Sequence, residues 1–241
     1  PEDVQDATPK AKAAERKLSR FTEVECHVTE LDPENVDLLD DADIVMDGTD
    51  NLDTRFMISE YCQREGKPWV YTAAVARKGY SAFFHDNCFN CIFEEVGAGE
   101  LETCETAGVM REISSQAALK SSLKAVRYLS GKDVEEKLDT VEGESFSISS
   151  PGCRVCEDGK YPHLDEKRKT SPVCGENRFR AGKDGDMERL KQAGEVIAEN
   201  EYLVRANYEG REVVTYSSGR TVIEARDRNH ASSIFTEIMG V

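Results

Sequence analysis

Apolar positions fall at helical spacing in some stretches and in short unbroken or alternating runs in others, and the succession of the two predicts an α/β chain. Residues 8–19 are alanine-rich and free of breakers after Pro9, which predicts a helix with Pro9 in its first turn and Lys10 at its N-terminus. Residues 23–30 alternate, with Val24, Cys26 and Val28 apolar, the pattern of a strand with one buried face. Residues 33–39 read as a short helix. Ile44, Val45 and Met46 form an apolar run bounded by acidic residues and Gly48, as in a parallel strand covered on both faces. From 56 to 65 the spacing is helical again and stops at Gly66, with Pro68 beyond. Residues 69–75 and 80–84 follow as strands, and 119–129 as an amphipathic helix closed by Gly131. Strand and helix alternating in this way predict a doubly wound sheet.

The texture changes after residue 175. Residues 186–198 are helical in pattern, 202–208 and 212–216 flank Glu209-Gly210 like a hairpin, 221–225 form a third strand, and a helix over 229–239 closes the chain. A small α+β module results, so residues 1–174 and 175–241 are expected to be separate domains. No internal repeat or low-complexity tract interrupts either.

Of the 241 residues, 39% are hydrophobic and 7% aromatic, enough for a real core, while 32% are charged. The net charge of -16 argues against a nucleic-acid backbone or an anionic membrane as the main partner. No stretch approaches the apolar length of a membrane span, and Pro1-Glu-Asp-Val does not open a signal peptide. A cytoplasmic location is expected, and there eight cysteines point to metal ligation or thiol chemistry before disulfides.

Two clusters carry the chemistry. Thr49, Asp50 and Asn51 stand at the carboxyl end of the strand predicted over 44–46, where open α/β sheets place their ligands. Asn51 or Thr54 would cap the next helix, with Arg55 in its first turn, although Asp and Asn are also ordinary turn and capping residues. Cys88-Phe-Asn-Cys91 and Cys153-Arg-Val-Cys156 each space two thiolates to grip a tetrahedral ion. One such pair alone could be a redox motif; two pairs without a secretory signal favour a four-cysteine zinc site, which would tie two distant segments together. Four thiolates close such an ion to water, so it would be structural. Lys10 at a helix N-terminus opposes the macrodipole, so it is either a simple exposed lysine or one that holds an anion against the helix end.

With Lys10, the Gly48-Thr-Asp-Asn51 turn, both Cys-x-x-Cys pairs and Cys104-Glu-Thr-Ala-Gly-Val109, the chain resembles the ThiF/MoeB/HesA family of ubiquitin-activating-enzyme-like adenylyltransferases from residue 1 to about 174. The resemblance implies the C-terminal part of a Rossmann-like sheet with a structural zinc, and a small α+β tail like that of longer members. It implies ATP-dependent adenylation of the C-terminal carboxylate of a small ubiquitin-like sulfur carrier of the ThiS or MoaD type, with Mg²⁺ as a second cofactor. By resemblance Asp50 would hold Mg²⁺, Asn51 and Arg55 would orient the nucleotide and acyl group, and Lys10 would meet the phosphates. The cysteine matching Cys104 is the candidate for a covalent link to the carrier; otherwise it is a loop cysteine without chemistry. Cys26, Cys62 and Cys174 read as core or incidental.

The chain departs from the pattern in two places. Residues 110–116 are more polar than the glycine-containing run usual after Gly108-Val109. The glycine-rich nucleotide loop, the acidic residue for the ribose and the second phosphate-contacting cation are also missing, and no Gly-x-Gly-x-x-Gly replaces them. The expectation is therefore a chain inactive by itself. It would be a piece of a longer product, half of a pair with a chain that supplies the loop, a member of a homodimer, or a non-catalytic scaffold that binds the carrier.

Overall fold

The computed structural model describes residues 8–93, 108–149, 151–165, 171–172 and 177–240. Contacts divide the chain into two units, Pro1–Glu30 with Arg168–Val241, and Leu31–Lys167. Residues 1–30 thus group with the C-terminal part, whereas the sequence pattern divides the chain once, at 174.

The second unit opens with a 3-10 turn, Val36–Leu39, and a short strand β1, Val45–Met46. The first unit contributes α1, Lys10–Leu18, which precedes both in the chain and begins directly after Pro9. β1 leads into α2, Leu52–Glu65, then β2, Trp69–Val75, and β3, Lys78–Phe84. β1 and β2 are parallel, joined through α2, with Val45 opposite Trp69; β2 and β3 are antiparallel, with Trp69 opposite Phe84. The connection between them is two residues long and holds Ala76 at φ 52°, a left-handed conformation uncommon outside glycine. A short α3, Asn90–Phe93, a long α4, Arg111–Leu129, and β4 and β5, Lys137–Thr140 and Ser145–Ser147, complete the sheet in the order β1-β2-β3-β4-β5. The strand-helix-strand core is thus present, and among the described strands of this sheet only β1 and β2 pair in parallel.

α2 follows its sequence closely. Asn51 caps it by accepting the Thr54 N–H at 2.8 Å, and every residue from Phe56 to Cys62 is buried, as expected of a helix under a sheet and a loop layer. The core beneath is aromatic. Trp69 stacks on Phe84 with centroids 4.9 Å apart, and Phe89 meets Phe56 edge-on at 5.0 Å. Burial pushes the Cys62 thiol up to about 12, so this cysteine is the core residue its pattern suggested.

α4 begins eight residues before the predicted 119–129 helix, at the polar segment that departs from the family pattern. Its sheet-facing side is made of small residues, with Ala117, Ser121 and Ala125 buried at four-residue spacing. Ser121 accepts from Thr72 at 2.7 Å and donates to Ser81 at 2.8 Å, a hydroxyl chain that fixes helix to sheet. The larger Leu119, Leu123 and Val126 face outward and are 70%, 60% and 60% exposed.

In the first unit the strand expected over 23–30 does not form. Val24, Cys26 and Val28 are half-buried between exposed neighbours, so the alternation is real. Yet the segment joins no ladder among the described strands, and a strand without a ladder is only extended chain. The remainder of the unit comprises β6, Ser171–Pro172, β7, Arg178–Arg180, α6, Met187–Ala193, β8, Glu195–Glu199, β9, Leu203–Tyr208, β10, Arg211–Tyr216, β11, Thr221–Glu224, and α7, Arg228–Met239. The second unit's own α5, Pro162–Asp165, lies between β5 and β6 in the chain. Sheet order is β6-β7-β11-β10-β9-β8, and α7 buries Ala231, Ile234, Phe235, Ile238 and Met239. The hairpin at Glu209-Gly210 is as predicted, both residues at positive φ as a tight two-residue turn requires. The helix predicted over 186–198 is instead α6 followed by β8. Gly194 ends α6 where a Cβ would sit 3.0 Å from the Asn207 carbonyl, so the chain passes too close to β9 to continue as helix.

Candidate functional site

Two groups of residues in the second unit stand out, one at the N-terminal end of α2 and one in the segments that its middle residues contact. At its N-terminal end the loop between β1 and α2 turns on a buried ion pair. Asp47 follows β1 and donates its N–H to the Val70 carbonyl at 2.9 Å; its side chain is 0% exposed. Oδ1 accepts the Thr49 N–H at 2.7 Å, and Oδ2 lies 3.4 Å from Arg55 Nε. Burial pushes the Asp47 carboxyl above its ordinary range, and Arg55 and the Thr49 N–H pull it back. Arg55 in turn donates to the Thr49 carbonyl and, at 3.2 Å, to the Thr72 carbonyl, while its guanidinium lies 5.0 Å from the centre of the Tyr71 ring.

Arg55 is therefore turned inward, where it fastens the loop to β2. Asp50 and Asn51 are exposed on that loop, at the carboxyl end of β1. Capping occupies Asn51 Oδ1, so the Nδ2 amide is what remains for a ligand. Beyond β2 the chain at Ala76 is pinned to the segment before α4: Ala76 donates to the Gly108 carbonyl at 2.8 Å and accepts from the Met110 N–H at 3.0 Å. Cys104 lies outside the described residues. Lys10 opens α1, exposed, and belongs to the first unit.

Separately, Cys88, Cys91, Cys153 and Cys156 converge with all four Sγ atoms within 4.8 Å of one another. Cys88 and Cys91 are 3.9 Å apart, Cys88 and Cys153 3.6 Å, and Cys91 and Cys156 3.6 Å. A zinc ion with four sulfurs at about 2.3 Å in a tetrahedron separates them by about 3.8 Å, so the donor set and its spacing fit zinc. The thiols do not titrate alike. Cys91 is pulled down to about 2 by bonds from Cys156 and Cys88, whereas bonding to Cys156 and Cys91, and then burial, hold Cys88 up. Cys91 gives up its proton readily, and a bound cation would take the place of thiol protons.

The turns around the thiols are held by carboxylates. Glu136 accepts the N–H groups of His85, Asp86 and Asn87, at 2.6 Å and 3.0 Å for the first and last, which sets the approach to Cys88. Glu157 accepts the Gly152 N–H at 2.7 Å beside Cys153. Sequence reasoning found the four cysteines from spacing; it missed Asp47 and Glu136, whose partners announce themselves only in three dimensions.

The chain is similar to several known proteins. The ThiS adenylyltransferase ("Sulfur carrier protein ThiS adenylyltransferase") of Bacillus subtilis (strain 168) is 29% identical over 265 aligned positions, which cover 99% of this chain and 79% of that protein. The SAMP-activating enzyme E1 of Haloferax volcanii is 25% identical, over 66% of this chain and 64% of that protein. The adenylyltransferase and sulfurtransferase MOCS3 of Drosophila sechellia is 29% identical, over 68% of this chain but 39% of that protein. Among solved structures, E. coli MccB with MccA-N7isoASN superposes with a TM-score of 0.50 at 15% identity, over 61% of this chain and 51% of that one, a likeness of fold alone. The sequence pattern of the ThiF family matches residues 1–160, about two thirds of the 241, and the chain belongs to that family.

Proposed function

We propose that the protein takes part in ATP-dependent adenylation of the C-terminal carboxylate of a small ubiquitin-like sulfur carrier of the ThiS or MoaD type, preparing it for sulfur transfer in thiamin or molybdopterin biosynthesis. The observation that carries this reading is the similarity to a ThiS adenylyltransferase along 99% of the chain. A carboxylate oxygen of the carrier attacks the α-phosphorus of ATP, the new P–O bond gives the acyl-adenylate, and the bond to pyrophosphate breaks. The chemistry asks for charge neutralisation and positioning more than for acid-base groups.

Asp50 would hold Mg²⁺, which spreads the phosphate charge, and its exposed place at the end of β1 is compatible with that role. Asn51 offers its amide nitrogen to the nucleotide. Arg55 serves orientation by holding the Asp47–Thr49 loop in place, and Lys10 meets the phosphates. Cys104 is the residue for a covalent link to the carrier, and the four clustered cysteines hold a structural zinc.

The test is pyrophosphate exchange into ATP in an assembly supplied with a glycine-rich nucleotide loop. Label should enter ATP only when the carrier is present with its C-terminal carboxylate free. Exchange that is the same without carrier, or with the carboxylate blocked, overturns the reading.

The exposed Leu119, Leu123 and Val126 on α4 support pairing with a second copy, since an apolar stripe of this kind is uncommon on a monomer. Leu119→Lys with Leu123→Lys should weaken self-association by about 2 kcal/mol, roughly thirtyfold in Kd. Sedimentation at micromolar concentration checks this, and an unchanged dimer population places the interface elsewhere.

A further inference from the structure

Both thiol pairs are fastened to one face of α2 by three residues that neither periodicity nor the metal itself requires. Phe56, Ser59 and Glu60 are spaced three and four apart and so share a side of the helix. Glu60 is 0% exposed, a carboxylate taken wholly out of water. Its Oε2 accepts the backbone N–H groups of His163 and Leu164 at 2.8 Å and 3.2 Å, and its Oε1 lies 2.7 Å from His163 Nδ1. His163 follows the second cysteine pair by seven residues, on α5. Ser59 Oγ accepts the N–H of Phe89, inside the first cysteine pair, at 2.8 Å. Phe56 lies between the two: its ring meets Phe89 at 5.0 Å on one side and stacks on the His163 imidazole at 4.8 Å, 11° from parallel, on the other.

The same helix begins at Asn51 and carries Arg55, one residue before Phe56. From Asn51 to Glu60 is about 13 Å along the helix axis, a rigid distance for a buried helix. Burying a carboxylate is costly unless its oxygens are fully satisfied, and Glu60 is satisfied only while the chain after Cys156 stays docked. Ordering of both cysteine pairs and seating of α2 thus depend on the same contacts.

We infer that Glu60 is a positioning residue that, with Ser59 and Phe56, links metal binding at the four cysteines to the placement of the first turn of α2. Loss of the ion frees both turns, removes the partners of Glu60 and Ser59, and loosens the end of the helix that presents Asn51 and Arg55. In the other direction, loss of Glu60 undocks the segment after Cys156 and lets the ion go. The inference rests on the reading of the four thiols as zinc ligands and is independent of adenylation.

The experiment uses the 241-residue chain loaded with Zn²⁺ and two readouts that need no ATP. Zinc transfer to a chromogenic chelator is followed for the parent, Glu60→Gln, Ser59→Ala and His163→Ala. Hydrogen exchange of the α2 peptide is measured before and after zinc is withdrawn. Glu60→Gln should release zinc about tenfold faster, the scale on which residues behind metal ligands act, with its circular dichroism unchanged. His163→Ala removes the ring contacts and leaves the two N–H bonds to Glu60, so its release should be intermediate; this half-exposed position also serves if Glu60→Gln fails to fold. Amides in the first turns of α2 should exchange faster once zinc is removed. Zinc bound but released at parental rates from Glu60→Gln and His163→Ala, or α2 amides equally protected with and without the ion, overturns the linkage alone. Protein that binds no zinc overturns the linkage together with the metal reading.

Discussion

Cys153→Ser should lose the zinc and leave the second unit several kcal/mol less stable. Cys153 is buried, with its sulfur 3.6 Å from Cys88, so a serine there puts a harder, protonated oxygen where a soft thiolate must close the tetrahedron. Metal bound only by the folded state adds RT ln(1 + [Zn]/Kd) to stability, about 4 kcal/mol when free zinc is a thousandfold above Kd, and all of it goes with the ion. The loss also unties segments that are distant in sequence, because the pairs lie 65 residues apart. Metal analysis should give about one zinc per parent chain and close to none for Cys153→Ser, and urea unfolding should show zinc-dependent stability only in the parent. Acid should mimic the mutation, since protons and zinc compete for the same sulfurs and the ion is released as pH falls. Cys104→Ser should keep its zinc. Retention by Cys153→Ser, or loss from Cys104→Ser, would move the metal to a different set of ligands.

The parts of this molecule that could be read from sequence are those whose signals are local. The zinc cluster is one, because each half is a single turn with its two ligands three residues apart, and only the pairing of halves is tertiary. α2 is another: cap, apolar run and glycine stop are contiguous. α4 could be read only in half. Hydrophobicity marks Leu119, Leu123 and Val126 as the face to bury, yet the sheet receives Ala117, Ser121 and Ala125, since a helix held through a hydroxyl chain at close range needs small side chains. The preceding residues, 111–116, are helical although polar and largely exposed, because Arg111, Glu112 and Gln116 are good helix formers that extend the helix without a buried face. Residues 194–198 are misread from sequence because their helical spacing continues from α6, and only the approach of β9 makes Gly194 a break. Asp47 and Arg55 are eight residues apart with no shared period, and Glu60 and His163 are 103 apart, so neither pair had a signal that sequence spacing could carry.

That difference between exposed and buried members of the β1–α2 loop separates two mutants by what they lose. Asp50→Ala, in the assembly with a nucleotide loop, should lower carrier-dependent pyrophosphate exchange by ~100-fold or more, since charge building at the α-phosphate loses the ligand for its counter-ion. Its unfolding midpoint should stay near the parent's, because Asp50 is exposed. Arg55→Ala should act first on stability. It strands the Asp47 carboxylate, whose side chain is 0% exposed, and breaking one side of a buried ion pair costs about 3–5 kcal/mol. The cost should depend on pH in a definite direction. Burial raises the folded-state pKa of Asp47 and Arg55 counters it, so removing Arg55 raises it further. A carboxyl with a raised folded pKa holds its proton in the native state after the unfolded chain has released it, so stability falls as pH rises above the ordinary value of 3.8. Arg55→Ala should therefore be closest to the parent near pH 4 and furthest from it at neutral pH, a gap that urea unfolding across this range measures directly. Arg55→Lys keeps the charge but cannot reach Asp47, the Thr49 carbonyl and the Thr72 carbonyl together, and should recover only part of the loss. Equal destabilisation by Arg55→Ala at pH 4 and pH 7 would mean that Asp47 is not the group Arg55 supports, and full exchange by Asp50→Ala would take the magnesium site away from the end of β1.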